Sequence, residues 1–529
     1  MTNRKSTKRA LLGSAMAMVL CLAMLVGATF AWFTDTASTG VNKIQAGKLD
    51  VALEMKEGDS WVSAEGKTLD FVKAAAGEQV LWEPGCTYKL PELRVVNNGN
   101  LALKYKIQIT GIQGDAKLNE VINWTINDAA IDLTEGHLTA GQQGDAFTIK
   151  GHMQESAGNE YMDLTISGIS ITVYATQDTV ESDSFGKTYD ANAEYPAMPY
   201  VTSHEALNTN LTLADIPTNE ATGKHDPVEV TLGNTAAGDI AYSEHSSGYT
   251  GKGVMLGSTK LNSYAAAPAK AGEYTFVFKN GTINSAATGY SSIDNLKDTS
   301  VYMLVPGNSD VVFENMTFNG VVSFDIQMYT SPWSYLHSIT FKNCTFNGIV
   351  VGSCPAEKAT FDGCTFNNYT NTTYANNSNP IWWRAATGYW GTGADESVHS
   401  LKEFTFVNNT VTSTRPVKIE RIGWNCTAGI TILDNTFDIS KQAGDSETKN
   451  MAINIGQKDN TSKFILTDDG NTISAGTASL YTAALGSGSN QYVAVSGSKV
   501  LDRNGNDKVI TAMVWKTTTD ETFEMKTID

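Results

Sequence analysis

Apolar and polar residues alternate along much of the chain with a period of two, as the pleat of a β-strand requires. The alternation is clear in Lys48–Met55 and in Tyr161–Gln177, where a break near Gly168 indicates a bulge or a corner. Two further alternating runs flank Asn97–Asn100 and predict a β-hairpin with an Asn-Asn-Gly-Asn turn. Together these runs predict a β-sandwich of about seven to nine strands over residues 32–198.

A nine-residue motif recurs seven times in the second half of the chain. Its second, fourth and ninth places are apolar in most copies, its sixth place is Asn, Asp or Gly, and its eighth place is always Thr. Such a constant order predicts one structural unit that is repeated along the chain. The copies occupy residues 275–283, 310–318, 338–346, 358–366, 403–411, 429–437 and 465–473.

The spacing within the motif predicts a bent strand. In a straight strand Phe341 and Phe346 would face opposite sides, but a bend at Asn343 lets both point inward together with Ile339 and Cys344. Asn tolerates the left-handed backbone conformation that such a bend needs, and Gly adopts it freely. The motif therefore predicts the corner of a coil with its apolar side chains inside.

Successive copies begin 35, 28, 20, 45, 26 and 36 residues apart, and the shortest spacing is about one turn of a parallel β-helix. The longer spacings are expected to carry loops or an unrecognised extra turn. A single coil cannot bury its apolar row, whereas stacked coils bury it and pair their backbones. We therefore predict an all-β chain with a parallel β-helix, a solenoid, over residues 199–515 and a C-terminal tail at 516–529. The arrangement resembles the right-handed β-helices of the pectate-lyase-like superfamily.

The composition limits the classes of binding partner and of cross-link that are expected. The chain carries a formal net charge of −18 and 41% hydrophobic residues, so packed cores are expected and binding to nucleic acid or anionic lipid headgroups is not. With only six cysteines in 529 residues, a dense disulfide framework is not expected. Cys344 and Cys364 fall on adjacent coils, where buried packing is the favoured role and a disulfide is the alternative.

The N-terminus has the features of a secretory signal peptide over residues 1–31. Four basic residues precede a long uncharged stretch. Thr29 and Ala31 place small side chains at the −3 and −1 positions, so cleavage is expected between Ala31 and Trp32. The alternative is a retained membrane-spanning helix. Cleavage would release a secreted protein that meets the membrane only transiently.

Three stretches of the N-terminal region resemble the TasA/camelysin family of exported Gram-positive proteins: GATFAWFTDTASTGVNKIQAGKLDVAL, LWEPGCTYKLPELRVVNNGNLALKYKIQI and ESAGNEYMDLTISGISITVYATQDTVESDSFG. The resemblance covers residues 8–190, about a third of the chain. It implies processing by a SipW-type signal peptidase, a jelly-roll-like sandwich, and assembly into the fibres of an extracellular biofilm matrix.

The segment after the expected cleavage site is a candidate donor strand for a neighbouring subunit. The resemblance implies this role, and strand addition of this kind needs an extended segment with alternating apolar anchors. Trp32, Phe33 and Val41 would be the anchors that fill apolar pockets of the neighbour. The alternative is that the segment pairs within its own sandwich.

Candidate binding residues lie in the longest insertion between motif copies. Trp382, Trp383, Tyr389 and Trp390 form the densest aromatic cluster of the sequence. Flat aromatic faces stack on sugar rings, so the cluster predicts glycan binding. The alternative is that these side chains cap the apolar flank of the β-helix.

No catalytic set, metal site or cofactor is predicted. The HExxH motif is absent, so the metalloprotease activity attributed to camelysin-type proteins is not expected. A polysaccharide lyase could use Arg415, Lys418, Glu420 and Arg421, but Lys418 and Glu420 share one face of a strand and the two arginines share the other. Exposed salt bridges are therefore their expected role.

These observations predict a secreted structural or adhesive protein of the cell surface or biofilm matrix, without enzymatic activity. It is expected to associate with itself or with a matrix partner, and a polysaccharide is a further candidate partner. The alternatives are a polysaccharide-active enzyme, either a lyase or a glycosidase, and a glycan-binding module carried by the β-helix.

Overall fold

The structure is a computed structural model in which strands predominate and one α-helix occurs among the described residues, which confirms the predicted all-β class. The described residues are 48–67, 69, 71–72, 81–114, 116–131, 135–164, 166–178, 195, 198–218, 224–236, 238–241, 250–258, 260–261, 269–290, 300–326, 336–353, 356–373, 375–384, 401–422, 427–439, 451–457, 463–477, 479–483, 499–515 and 523–528.

The N-terminal part of the described chain contains ten strands in three antiparallel sheets. The strands are β1 (Val51–Glu57), β2 (Ser60–Ser63), β3 (Thr87–Lys89), β4 (Leu93–Asn97), β5 (Leu103–Gly114), β6 (Ile122–Ile126), β7 (Ala129–Ala130), β8 (Glu135–Leu138), β9 (Ile149–Met153) and β10 (Ile166–Gln177). The strand orders are β2-β1-β4, β10-β5-β8 and β3-β9-β6-β7. Alternate side chains of these strands meet in one apolar core, which includes Leu53, Leu93, Val95, Leu103 and Ile149.

The predicted hairpin around Asn97–Asn100 is not formed. Strand β4 pairs with β1, whereas β5 pairs with β8 and β10, so the chain passes from one sheet to another at this point. The fully buried Asn97 holds the crossing, because its Nδ2 donates to the carbonyl oxygens of Leu101 at 2.8 Å and Thr139 at 3.1 Å. The Asn-Gly sequence therefore makes a corner of the sandwich and not a turn within one sheet.

The predicted irregularity near Gly168 is confirmed. The register between β10 and β5 shifts between Ile166 and Gly168 and again between Gly168 and Ser170. In its sheet β10 lies at the edge, and β5 occupies the centre. The bulge lets the long strand follow the curvature of the sandwich without losing its pairing from Ser170 onward.

The remaining strands build the predicted parallel β-helix, with short antiparallel additions. They are β11 (Tyr200–Ser203), β12 (Val228–Ala236), β13 (Gly238–Ala241), β14 (Thr250–Gly257), β15 (Thr275–Asn284), β16 (Ser300–Leu304), β17 (Asp310–Glu314), β18 (Thr317–Ile326), β19 (Leu336–Lys342), β20 (Thr345–Ser353), β21 (Ala356–Asp362), β22 (Thr365–Phe366), β23 (Ile381–Arg384), β24 (Glu403–Val407), β25 (Thr410–Ser413), β26 (Val417–Ile422), β27 (Thr427–Leu433), β28 (Thr436–Ile439), β29 (Met451–Gln457), β30 (Lys463–Asp469), β31 (Thr472–Ile473), β32 (Ser479–Ala483), β33 (Lys499–Leu501), β34 (Ile510–Trp515) and β35 (Phe523–Ile528).

The coils stack their strands in three rows. The first row holds the start of each motif copy and consists of β11, β12, β15, β17, β19, β21, β24, β27, β30 and β33. The second row follows the bend and consists of the ends of β12 and β15, the starts of β18 and β20, and β22, β25, β28 and β31. The third row consists of β14, β16, the ends of β18 and β20, and β23, β26, β29, β32 and β34.

The bend predicted at the sixth place of the motif is confirmed in all seven copies. Each sixth residue has a positive φ, between 51° and 67°. These residues are Asn280, Asn315, Asn343, Gly363, Asn408, Asp434 and Gly470. Because the left-handed residue turns the strand, the fourth and ninth places of each copy point into the same core.

Two columns of aromatic rings fill this core. At the fourth place Phe313, Phe341 and Phe361 stack with ring centroids 5.3 and 4.7 Å apart. At the ninth place Phe346 stacks on Phe366 at 4.7 Å, and the two columns meet edge to face. Such ring pairs stabilise the fold by more than the burial of their apolar area alone, so the columns help to hold the coils in register.

The β-helix is longer than the motif alone predicts. Strands β11 and β12 stack ahead of the first copy, and β33 pairs with β30 beyond the last, so the first row has ten rungs. Each copy pairs directly with the next one. Every spacing therefore contains one coil, and the longer spacings carry loops.

Different elements lie at the two ends of the β-helix. Helix α1 (His204–Thr209) follows β11, and Ser203 caps its N-terminus by accepting a hydrogen bond from the backbone N–H of Ala206 at 3.0 Å. The buried Leu207 and Leu211 join the β-helix core. At the other end β35 pairs antiparallel with β34, which ends the parallel stacking of the third row.

The seventh place of the motif forms a column of side chains inside the β-helix. In the central copies it holds Cys344 and Cys364, which are free thiols, each 1% exposed. The Cys344 thiol donates to the carbonyl oxygen of Phe313 at 3.3 Å. Burial and the neighbouring Cys344 raise the pKa of the Cys364 thiol. Both cysteines therefore serve as buried packing residues, the role favoured by the sequence.

In the later copies an asparagine ladder replaces the thiols. Asn409 Nδ2 donates to Asn435 Oδ1 at 3.0 Å, and Asn435 Nδ2 donates to Asn471 Oδ1 at 2.8 Å. Asn435 Nδ2 also donates to the carbonyl oxygen of Phe406 on the preceding coil. Since Asn409 and Asn435 are 1% exposed, the ladder satisfies amides that would otherwise be costly to bury.

The left-handed bend predicts the effect of substitutions at Asn343. We expect Asn343→Val to lower the free energy of unfolding by about 1–2 kcal/mol, because a β-branched residue is disfavoured at positive φ. Asn343→Gly should stay within about 0.5 kcal/mol of the parent, since Gly adopts this conformation freely. Urea unfolding of both variants measures the difference, and equal stabilities would contradict the role of the bend.

The inner ladder makes a second prediction, at Asn435. Asn435→Val leaves Asn409, Asn471 and the Phe406 carbonyl oxygen without the hydrogen bonds that Asn435 makes to them. It should lower the free energy of unfolding by about 2–4 kcal/mol. Asn435→Cys is the matched control, because a thiol at this place can still donate to the preceding coil, as the Cys344 thiol does. Thermal and urea unfolding should rank Val below Cys; the reverse order would show that the amides do not stabilise the stack.

Candidate functional site

The structure describes two of the four aromatic residues that were predicted to bind glycans. Trp382 and Trp383 are neighbours on β23 in the third row. Successive residues of a strand face opposite sides, so the two indoles have different environments. The other predicted site residues lie outside the described residues; they are Tyr389 and Trp390, the cleavage pair Ala31 and Trp32, and the anchors Trp32, Phe33 and Val41.

The prediction that Trp383 binds a glycan is wrong. Its side chain is fully buried in the β-helix core, where its ring meets Phe361 edge to face with centroids 5.9 Å apart. A Cβ at Gly352 on the preceding coil would collide with the indole, so Gly352 makes room for it. A ring enclosed in this way has no free face for a sugar, and Trp383 is a packing residue.

Trp382 lies on the outer side of the same strand and is half-buried. Lys418 Nζ lies 4.0 Å from the centroid of its ring, and the ring of Tyr290 lies 6.1 Å away. Buried Val351 belongs to the same outer cluster. The loop that carries Tyr290 is held there by Asn371, which accepts from the backbone N–H of Tyr290 and donates to its carbonyl oxygen. Trp382 thus belongs to a small aromatic patch on the third row.

In the basic segment near this patch, the prediction of an exposed salt bridge is wrong for Arg415. Lys418 contacts the Trp382 ring, a cation–π contact that is worth about 0.5–1 kcal/mol at exposed sites. Arg415 was expected to form an exposed salt bridge, but it is 4% exposed and its Nη1 donates to the carbonyl oxygen of Thr414 at 2.9 Å. The reason is that β26 begins only at Val417, so Arg415 lies in the preceding turn and not on a strand face.

A second surface is formed by the outer side of the second row. The invariant Thr of the motif stands there on seven consecutive rungs, in register from coil to coil. The residue two places further on adds a parallel column. We call both columns together the Thr/Asn strip, whose members are Thr282, Thr317, Thr345, Thr365, Thr410, Thr436 and Thr472 with Asn284, Asn319, Asn347, Asn367, Thr412, Asp438 and Ser474.

The asparagines of the strip form an outer ladder. Nδ2 of Asn319 donates to Oδ1 of Asn284 at 2.8 Å, Asn347 donates to Asn319 at 3.0 Å, and Asn367 donates to Asn347 at 2.6 Å. Each amide keeps one further N–H and acceptor capacity for an outside partner. The nine-residue motif does not contain this column, although an Asn directly after the ninth residue in four copies is a visible signal of it.

The hydroxyls of the Thr column point away from the core. Within the described residues Thr317, Thr345 and Thr365 have no intramolecular partner for their Oγ1, whereas Thr472 Oγ1 donates to Thr436 Oγ1 at 3.2 Å. From Thr282 to Thr436 the backbone groups of the strip are paired with the coils on both sides, so they are not available to a partner. Over these six rungs the strip therefore offers hydroxyls and amides, and no strand edge.

The first row differs from the strip in charge. Some of its outer residues are charges of opposite sign, and Lys279 Nζ lies 2.7 Å from Glu229 and 3.8 Å from Glu314, whereas the third place of the motif carries Val or Thr. Lys358 pairs with Glu403 at 3.1 Å in the same row. On the strip, by contrast, the first five rungs carry only Thr and Asn. The β-helix thus presents a neutral strip beside a row of paired charges.

One cluster combines Ser, His and Asp. His337 Nδ1 lies 2.8 Å from Asp310 Oδ1, and Ser338 Oγ donates to the same oxygen at 2.5 Å. In a nucleophilic triad the serine hydroxyl would bond to the histidine ring and not to the carboxylate. The arrangement therefore links two neighbouring coils and does not activate Ser338.

A buried polar cluster occupies the core near the last coils. Asp468 stands at the fourth place, where other copies carry Phe or Ile, and is 5% exposed. Tyr481 Oη and Asn471 Nδ2 donate to its Oδ1 at 2.7 and 2.8 Å, and Lys508 Nζ lies 2.8 Å from its Oδ2. Burial and the nearby Asp468 raise the pKa of Tyr481. Each member has a partner, so the cluster is a satisfied part of the core.

Among the described residues, no group of three or more His, Cys, Asp or Glu side chains is placed to hold a metal ion. In the same residues, none of the helices combines the length and the hydropathy of a membrane span.

Comparison with known proteins adds no relative. The chain matches no protein-family model, no curated protein and no solved structure.

The two tryptophans of β23 make a matched pair for a third prediction. Trp383→Ala empties a buried ring site and should cost about 3–5 kcal/mol of unfolding free energy. Trp382→Ala removes a half-buried ring and should cost about 1–2 kcal/mol. Chemical unfolding of both variants measures the costs, and similar values for the two would contradict the opposite placement of the indoles.

Proposed function

We propose that the protein is a secreted structural and adhesive protein of the cell surface or extracellular matrix, and that its β-helix is a rigid rod that displays binding surfaces. The observation that carries this proposal is the stack of ten in-register rungs. At about 4.8 Å per rung the first row extends over about 43 Å. A long side surface suits contact with an extended partner better than it suits the enclosure of a small substrate.

The contacts within the stack support a rigid rod. Aromatic columns fill the core, amides bond from coil to coil inside and outside, and charge pairs link the coils of the first row. Groups fixed in this way lose little further freedom when they bind, which favours the display of a repeated surface.

The N-terminal region supports export and assembly through its resemblance to the TasA/camelysin family. In this proposal the signal peptide is removed after Ala31, and the new N-terminal segment with Trp32, Phe33 and Val41 adds as a strand to a neighbouring subunit. An antiparallel sandwich such as the one formed by β1 to β10 is a structure to which a strand can be added.

The second candidate function is glycan recognition or polysaccharide cleavage on the third row. Trp382 favours it, because its side chain is only half-buried and Lys418 lies against its ring. The aromatic ring supplies a stacking surface and the lysine supplies hydrogen-bond donors. Assays for new reducing ends and for the absorbance of unsaturated products test cleavage directly.

Assembly of the exported protein tests the first proposal. N-terminal sequencing of the secreted form should begin at Trp32. The purified mature protein should then form fibres that are visible by electron microscopy, and deletion of residues 32–47 should abolish them, because the donor strand is lost. The deletion does not touch the β-helix core around Trp383. The β-helix transition in the unfolding curves should therefore be the same for the deletion and the parent. Unchanged fibres in the deletion would remove the donor-strand mechanism.

A further inference from the structure

We propose that the Thr/Asn strip is a binding surface for a linear, neutral polysaccharide that lies along the β-helix axis. This inference rests on the proposed adhesive function and names a partner for it. It concerns the second row, and therefore a different surface from the Trp382 patch.

The shape of the strip selects a linear partner. Seven rungs at about 4.8 Å give a length of about 29 Å, and two side chains in alternate places give a width of about 7 Å. A stable contact with a globular protein needs about 800 Å² on each side, several times the area of such a strip. A single extended polymer chain has a footprint of this size.

The paired backbone excludes the usual mode of binding for an extended peptide. A peptide gains affinity by adding a strand to a free sheet edge. From Thr282 to Thr436 the strip is the outer surface of strands that are hydrogen-bonded on both sides, so a partner lying on these rungs can reach only side chains. This favours a polymer that is recognised through groups along its sides, such as sugar hydroxyls.

The charge of the strip selects a neutral polymer. From Thr282 to Thr412 its side chains are only Thr and Asn, while the chain as a whole has a formal net charge of −18. An anionic polymer would be repelled by the acidic protein and would find no cation on these rungs. A cationic polymer would find its counter-charges elsewhere on the molecule.

The hydrogen-bonding groups match sugar hydroxyls. A hydroxyl both donates and accepts, and so do the Thr side chains and the Asn amides. Thr317, Thr345 and Thr365 have no intramolecular partner for their hydroxyls within the described residues. The Asn ladder holds Asn319 and Asn347 in fixed orientations, so their remaining groups are ordered before a ligand arrives.

The loops leave this surface open in the described part of the chain. The segments around Tyr290 and Tyr369 pack on Val321, Ile349 and Val351, which belong to the outer cluster near the third row. The turn between the first and second rows is short in every motif copy, because the sixth and seventh residues complete it. A polymer can therefore run across successive rungs.

The test compares two triple variants of the mature protein. Thr345→Val, Thr365→Val and Thr410→Val remove three hydroxyls from the strip and keep the shape and strand preference of the side chains. Thr340→Val, Thr360→Val and Thr405→Val form the matched control, since these threonines are aligned on the outside of the first row of the same coils. Both variants are checked first for parent-like circular dichroism and unfolding.

Retention on cellulose powder and on chitin powder is measured by sedimentation, with polygalacturonate gels as the acidic comparison. We expect the parent and the control variant to bind at least one neutral polymer, and the strip variant to bind at least tenfold more weakly, as the loss of three hydrogen bonds predicts. Retention on polygalacturonate should be weaker than on the neutral polymer.

Several outcomes would overturn the inference. These are equal losses in both triple variants, loss of binding in Trp382→Ala with retention in the strip variant, stronger binding to polygalacturonate, or no binding of the parent to either neutral powder. A lower mass of the strip variant in light scattering would assign the strip to a second copy of the chain and overturn it as well. Fibre formation is measured on the same samples, so failure of the inference with intact fibres is distinct from failure of the proposed function.

Discussion

The β-helix depends on one backbone constraint, the left-handed residue at the sixth place of each coil. Without this bend the alternation of the strand would turn the ninth residue outward, because side chains five apart on a straight strand face opposite sides. Only Asn, Asp and Gly occupy the place, and these residues tolerate positive φ best. The aligned bends bring Phe341 and Phe346 into one core and let every coil repeat the same path.

The inner asparagines show how the same geometry sets the register of the coils. Each amide bonds to the next asparagine, and Asn435 bonds to the preceding coil as well. A coil that slipped by one residue would leave these buried amides without partners, which costs more than the bonds contribute when made. Aromatic stacking stabilises the column, and the ladder makes one register strongly preferred.

The side chains on the outside of the β-helix are aligned by the same register. Because the coils are in register, Thr345 and Thr365 stand one above the other at the spacing of a β-sheet. A surface of this kind repeats its chemistry without any cavity, which links the fold to the proposed adhesive function. The neutral strip and the ion pairs of the first row give two sides of the β-helix different chemistry.

The sequence by itself determined the all-β class, the repeated coil and its bends, since alternation and the preference of Asn343 for positive φ are local properties. Tertiary structure decided which strands meet. It placed Asn97 at a crossing between sheets, sent Trp383 into the core and left Trp382 outside, and brought Asn347 beside Asn319. These outcomes depend on neighbours far away along the chain, where local pattern carries no information about which coil or sheet lies adjacent.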